Sequence, residues 1–335
     1  MYKAMPVGRD IWWVGVNDRE THLFESLWLL PQGMAYNAYV VGGEKTAAID
    51  TVKSPWFDDY SNRVREALDG LGKKTLDYLV VNHMEPDHAG VIGELKRAWP
   101  DLKLIGNAKT LPLLKGYHGL DEMTQVKDGD TLDLGGRVLT FYTIPMVHWP
   151  ESMVTYDAAA KTLFSNDAFG GYGAHEGGLF DDEKNRARWE NEMLRYYATI
   201  IGRYSGMVQT ALKKLGGLDI RAIYPAHGTL FRKDVGQVVG LYDRWSRQET
   251  DPGLAVVYGT MYGNTRRMAE AVCLGASEAG LKDIVLHDAS RSETSVVLRD
   301  IWRRKGLALL GCTYNTTLFP TLDALRAFAD AVKLE

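Results

Sequence analysis

The chain has 335 residues, 45% of them apolar and 24% charged, with a formal net charge of −4. At roughly 100–200 residues per domain this length calls for about two domains, and the faintly acidic balance lacks the basic surface that a nucleic acid would need. No stretch of ~18 apolar residues suits a membrane span and no signal-type apolar core follows the N-terminus, so a cytoplasmic location away from membranes is expected.

The first elements are short and β-like. Apolar stretches at Trp12 to Val16, Tyr36 to Val41 and Thr46 to Val52, with Gly42-Gly43-Glu44-Lys45 as a turn, read as antiparallel sheet. Helical spacing follows from Asp58 to Leu71, closed by Gly70 and Gly72. A strand over 76–82, a polar loop, a helix over 89–99 and a strand over 102–106 come next. A second β-rich part, with Arg137 to Ile144 and a hairpin from Met153 to Phe164, precedes a helical region from Asp182 to Leu215. Sheet then helix, given twice, predicts a sandwich of two sheets covered by helices, an αββα arrangement.

Around Ser246 to Gly253 the chain turns polar and ends in Asp251-Pro252-Gly253, which sets a domain boundary and divides the chain into 1–250 and 251–335. Beyond it strand and helix alternate: Leu254 to Gly259, Asn264 to Gly280, Ile284 to His287, Glu293 to Arg304, Leu307 to Gly311 and Thr321 to Lys333. These are three βα units of a parallel α/β sheet.

The densest chemistry lies in the loop after the strand over 76–82, where His83, Glu85, Asp87 and His88 fall within six positions. Such groups are seldom buried unless paired or bound to metal, so a metal centre is the simplest reading. Cys273 and Cys312 form no CxxC or zinc-ribbon spacing, which leaves imidazole and carboxylate as the ligands. Three later positions, His148, Asp167 and His227, each follow a strand-like segment. A lone histidine after a strand is more often a hydrogen-bonded structural residue than a ligand. His22, His118, His175 and His287 are assigned to the surface or to support behind the ligands, and Tyr196 and Tyr197 are core aromatics or pocket lining.

Taken together, the hexad and the His, Asp and His after it resemble the metallo-β-lactamase fold, and in detail the flavodiiron proteins, or A-type flavoproteins. Hydrolases of that fold usually carry His where this chain has Glu85, and hold zinc; a carboxylate there makes a harder, more anionic site suited to iron. The resemblance implies His83, Glu85 and His148 on one iron, Asp87, His88 and His227 on the other, and Asp167 between them. The three carboxylates also offset three of the four charges of a diferrous pair.

In the C-terminal part, Thr260-Met261-Tyr262-Gly263-Asn264-Thr265 follows a strand and opens a helix, a place where phosphate meets free N–H groups and the helix dipole; hydroxyls and Asn there also serve as ordinary caps. The segment resembles the FMN phosphate loop of flavodoxins, and Thr313-Tyr314-Asn315-Thr316 resembles their second flavin loop. The chain stops at Glu335 after three of the five βα units of such a domain, so impaired FMN binding alongside intact di-iron chemistry is expected.

The resemblance implies an oxidoreductase that passes electrons through FMN to two irons and reduces O₂ to water and/or NO to N₂O. It also implies a rubredoxin-like or other soluble donor and a head-to-tail homodimer. Two other readings stay open here: a zinc-dependent hydrolase of the same fold, and a non-catalytic flavodoxin-like carrier with a vestigial metal loop.

Overall fold

A computed structural model of the chain describes residues 3–334. The chain forms two compact units. One comprises Met1–His22, Leu30–Met193 and Thr210–Val239; the other comprises Leu23–Leu29, Leu194–Gln209 and Gly240–Glu335.

The first unit is the αββα sandwich expected. Its larger sheet runs in chain order through β1 (Met5–Gly8), β2 (Ile11–Trp13), β3 (Tyr39–Gly42), β4 (Thr46–Ile49), β5 (Tyr78–Val80), β6 (Lys103–Asn107) and β7 (Thr124–Val126). Pairing is antiparallel from β1 to β4 and parallel from β4 to β7. The second sheet takes β8 (Thr131–Asp133), β9 (Val138–Thr143), β10 (Met153–Asp157), β11 (Thr162–Asn166) and β12 (Ala222–Pro225), antiparallel except for the last pair. Trp13, Val41, Ile49, Val80 and Ile105 from one sheet and Leu139, Phe141, Met153, Phe164 and Tyr224 from the other form one core. Every residue of β10, β11 and β12 is buried, the polar Thr155, Asp157, Thr162, Ser165 and Asn166 included, so these strands show no alternation of buried and exposed positions.

A buried arginine–aspartate pair lies inside this unit. Arg137 donates through Nε to Asp157 Oδ2 at 2.8 Å, and its Nη1 reaches the carbonyls of Arg9 and Gly42. The guanidinium is thus satisfied on several sides, as a buried charge requires.

Helix limits differ from expectation at the hexad. The helix expected over 89–99 is two pieces, Pro86–Ala89 and Ile92–Ala98, and the first begins inside the metal loop. Pro86 explains this: its fixed φ suits the first helical position, and Glu85 before it is extended at φ −60° and ψ 139°. The helical region over 182–215 is likewise interrupted, with a π-helical turn at Tyr197–Ile201 between Arg186–Tyr196 and Ser205–Leu215. Helices at Thr110–His118 and Val235–Ser246 were not anticipated.

The second unit has a three-stranded parallel sheet with β13 (Asp251–Gly259) between β14 (Ile284–Asp288) and β15 (Arg304–Gly311), the neighbour order of a flavodoxin-like start. Helices Asn264–Glu278, Thr294–Arg303 and Pro320–Ala331 alternate with these strands. Tyr196 and Tyr197 belong to this unit as buried core residues: Tyr196 packs on Phe24, and Tyr197 on Tyr242, Trp245 and Trp302. Among the described residues no helix is long and apolar enough to cross a membrane.

Candidate metal centre

The chemistry-bearing residues of the first unit all sit just beyond the C-terminal ends of strands. His83, Glu85, Asp87 and His88 follow β5, His148 follows β9, Asp167 follows β11 and His227 follows β12. Side chains from four separate loops, between His83 and His227 in the sequence, therefore converge at one edge of the sandwich. Two groups form: His83, Glu85, His148 and Asp167, and separately Asp87, His88 and His227, each with its donor atoms within 4.8 Å of one another.

Asp167 faces both groups. Its Oδ2 lies 3.2 Å from Nε2 of His83 and 3.2 Å from Nε2 of His148, while Oδ1 lies 3.0 Å from Nε2 of His88 and 3.4 Å from Nε2 of His227. Glu85 Oε2 is 3.0 Å from His148 Nε2 and 3.3 Å from His83 Nε2. Asp87 Oδ2 is 3.2 Å from His227 Nε2, and its Oδ1 is 3.4 Å from His88 Nε2. His83, His88, Asp167 and His227 are fully covered, whereas the Glu85 and Asp87 side chains keep 13% and 11% exposure and so mark the open side.

Burial makes this assembly costly without something to satisfy it. Both oxygens of Asp87, both of Asp167 and both ring nitrogens of His88 are buried without a hydrogen-bond partner among the described residues, although carboxylate and ring approach within 3.4 Å. Orphaned acceptors that converge are what a shared cation would satisfy.

The electrostatics agree. Burial resists protonation of His83, but hydrogen bonds to Glu151 and Glu85 and the charge of Asp167 outweigh it and push its pKa up to about 10. His148, against the same burial, is raised to about 10 by Asp167 and Glu85, and His88 to about 9 by Asp87 and Asp167. Burial opposes ionisation of Asp167 and Glu85, yet the surrounding histidines hold both well below the usual carboxylate range. The cluster therefore takes up positive charge, as protons or as metal.

Hydrogen bonds behind the cluster fix which nitrogen His83 and His227 present. Nδ1 of His83 is 2.7 Å from Glu151 Oε1, and Nδ1 of His227 is 2.9 Å from the Ala35 carbonyl, so each ring donates there and turns Nε2 inward. The His227 loop is clamped by Asn37. Its Nδ2 donates to the carbonyls of Pro225 (3.0 Å) and Gly228 (3.1 Å), and its Oδ1 accepts from Trp13 Nε1 (2.8 Å) and His175 Nε2 (2.9 Å). Gly228 is required: its φ is +70°, and a Cβ would stand 2.6 Å from the Gly171 carbonyl. Asp50 ties two ligand strands together, accepting from the Asn82 amide at 2.7 Å and Asn166 Nδ2 at 3.1 Å, the residues just before His83 and Asp167.

Glu151, Asn37, Asp50 and Tyr36 were not singled out in the sequence. Glu151 alone had a legible signal, a carboxylate three positions after His148. Tyr36 packs edge-on against His227 at 5.6 Å, and burial with the charges of Asp87, Asp18 and Glu85 raises its hydroxyl pKa. Of the other histidines, His175 is buried as support, His22 is exposed, and His118 and His287 are half-buried.

In the second unit the two flavin-type loops leave the C-terminal ends of adjacent strands, β13 and β15. Thr260 Oγ1 accepts from Gly263 N at 3.0 Å, and Gly263, at φ +89°, caps the helix from Asn264. Thr260, Met261, Tyr262 and Gly263 line a recess of about 400 Å³ with Arg266 and Arg291, and Thr265 is buried behind them. Thr313, Tyr314, Asn315 and Thr316 form an exposed turn, tied to the first loop by the Cys312 amide on the Gly259 carbonyl at 3.3 Å. With Gly263 at its N-cap, this helix start has no side-chain cap; its free N–H groups beside hydroxyls and two arginines, with Asp288 also in the lining, fit the phosphate of FMN.

Comparison with known proteins bears on both units. A family model described as ODP family beta lactamase matches residues 34–228, and a flavodoxin model matches residues 256–331. The chain is 34% identical over 329 residues to the anaerobic nitric oxide reductase flavorubredoxin of Escherichia coli (strain K12 / DH10B), covering 96% of this chain and 68% of that one. The flavodiiron protein from Giardia intestinalis superposes with TM-score 0.93 at 30% identity, covering 100% of this chain and 81% of that one. Rubredoxin oxygen:oxidoreductase from Desulfovibrio gigas gives TM-score 0.93 at 28% identity, covering 99% and 83%.

The chain belongs to the flavodiiron proteins. It is an oxidoreductase of that family, whose cofactors are a di-iron centre and FMN, and the zinc hydrolase reading is not favoured.

Proposed function

We propose that this chain reduces O₂ to water and/or NO to N₂O at two irons. One is held by His83, Glu85 and His148, the other by Asp87, His88 and His227, with Asp167 bridging. Residues 1–250 serve as the di-iron part and residues 251–335 as the FMN part, with Thr260 to Thr265 and Thr313 to Thr316 taking the flavin. The donor is a rubredoxin-like or other soluble protein, and the assembly a head-to-tail homodimer, as the family resemblance implies.

The observation that carries the reading is Asp167, whose two oxygens address two separate groups of imidazole and carboxylate. When bound, the iron pair supplies electrons to a small diatomic substrate and FMN replenishes them. The chain's own residues do the rest. Glu85 and Asp87 border the open side, where a small molecule would enter; Trp149, edge-on to His83 at 5.1 Å, and Tyr36, edge-on to His227 at 5.6 Å, hold those two rings in place.

Relatives named for nitric oxide reduction and for oxygen reduction both support this class of substrate. The test is consumption of O₂ and of NO by the anaerobically reduced, iron-loaded chain. Asp167→Ala is expected to lose the bridge, with iron falling below two per chain and turnover falling to background; unchanged iron content and rate would contradict the ligand assignment.

A further inference from the structure

His83 and His227 turn Nε2 into the same cluster, but the groups behind them differ in charge. His83 Nδ1 lies 2.7 Å from Glu151 Oε1, with both side chains at 0% exposure. The same oxygen accepts from the Met84 amide at 3.0 Å, and the backbone carbonyl of Glu151 accepts from Asn107 Nδ2, so the side chain is fixed at Oε1 and the backbone that carries it is fixed separately. His227 Nδ1 lies 2.9 Å from a neutral acceptor, the Ala35 carbonyl.

Placing Glu151 there is expensive. A buried carboxylate must recover its lost hydration, and Oε2 of Glu151 has no hydrogen-bond partner among the described residues. The nearby buried carboxylate Asp50 is not equivalent: its oxygens take the Asn82 amide and Asn166 Nδ2, and it acts on His88 and His83 only through space.

We propose that Glu151 is a positioning residue for one of the two irons. It fixes His83 in the Nδ1–H tautomer, aims Nε2 and makes the imidazole a more basic ligand, so the two metal positions are unequal. The iron on the His83 side is thereby held more firmly and favours the ferric state. This rests on the ligand set proposed above.

The test uses Glu151→Gln and Glu151→Asp in the full chain, loaded anaerobically with ferrous iron. For Glu151→Gln, one iron is expected to leave to a chelator about 10–100-fold more readily, while the other leaves as in wild type. In a redox titration followed by Mössbauer spectroscopy one midpoint is expected to rise; a tenfold weaker ferric preference corresponds to about 59 mV. Glu151→Asp, which keeps the charge, is expected to retain that iron more firmly than Glu151→Gln. Wild-type retention and midpoints in Glu151→Gln would overturn the inference, and so would equal weakening of both irons with a lowered unfolding temperature, the mark of a merely structural residue. A wild-type chain unable to hold two irons would overturn the ligand set itself and this inference with it, a result distinct from loss confined to the variants.

Discussion

At position 85 a carboxylate stands between His83 and His148, at 3.3 and 3.0 Å. An imidazole there would remove one negative charge from a covered site and leave a softer donor set, which suits zinc better than iron. Glu85→His is accordingly expected to lower the iron-to-zinc ratio when the metal-free chain is offered both ions, read by elemental analysis. An unchanged ratio would mean that the metal is chosen elsewhere. The neighbouring residues show how far a single side chain reaches: Asp87 serves the opposite group from Glu85 although only Pro86 separates them, because the helix that Pro86 opens turns Asp87 to the other side.

Elements matter through the loops they launch. The His227 loop depends on a residue from another part of the chain, Asn37, which follows the strand Met34–Tyr36 and makes two donor and two acceptor side-chain bonds while 1% exposed. Asn37→Ala would leave Trp13 Nε1, His175 Nε2 and two carbonyls each short of a bond, at a cost on the order of 3 kcal/mol, and would loosen His227. Chemical denaturation should show that loss together with weaker retention of one metal; a variant with wild-type stability would remove Asn37 from this role.

The residues that the structure gathers into the two groups were legible in the sequence and their supports were less so, for a physical reason. His, Asp and Glu crowded after apolar strands are costly unless they have a purpose, so their density speaks even without a structure. Asn37, Asp50 and Glu151 are single polar residues whose partners lie 24 to 191, 32 to 116 and 67 to 68 positions away. Nothing local distinguishes Asn37 and Asp50 from turn or cap residues, and Glu151 has only its closeness to His148. The sheets were readable from apolar stretches, as at Tyr36 to Val41 and Thr46 to Val52, and the splitting of the helix at the hexad was not, because Pro86 both stops one conformation and starts another.

For the whole molecule, the centre links metal, protons and stability. His83, His148 and His88 have pKa values raised to about 10, 10 and 9 from an ordinary 6.5, so the metal-free chain holds extra protons there at neutral pH. A raised histidine pKa contributes stability that is fully present below pH 6.5 and is lost as pH climbs through 9 to 10. Glu85 and Asp167, depressed, contribute stability that is present above the ordinary carboxylate range and lost on acidification. The metal-free chain is therefore expected to melt at progressively lower temperature between pH 6.5 and 10, and the metal-loaded chain to resist that decline. Loading near pH 7.5 should also release about three protons per chain, measurable with a pH indicator, because a metal ligand must be a free lone pair. Absence of proton release would contradict the charge balance described for this site.

The most direct test is the metal content of anaerobically purified protein, with iron and zinc counted per chain and the iron examined by Mössbauer spectroscopy. Two irons per chain, coupled as one pair, are the expected result. Two zincs, or a single uncoupled iron, would contradict it.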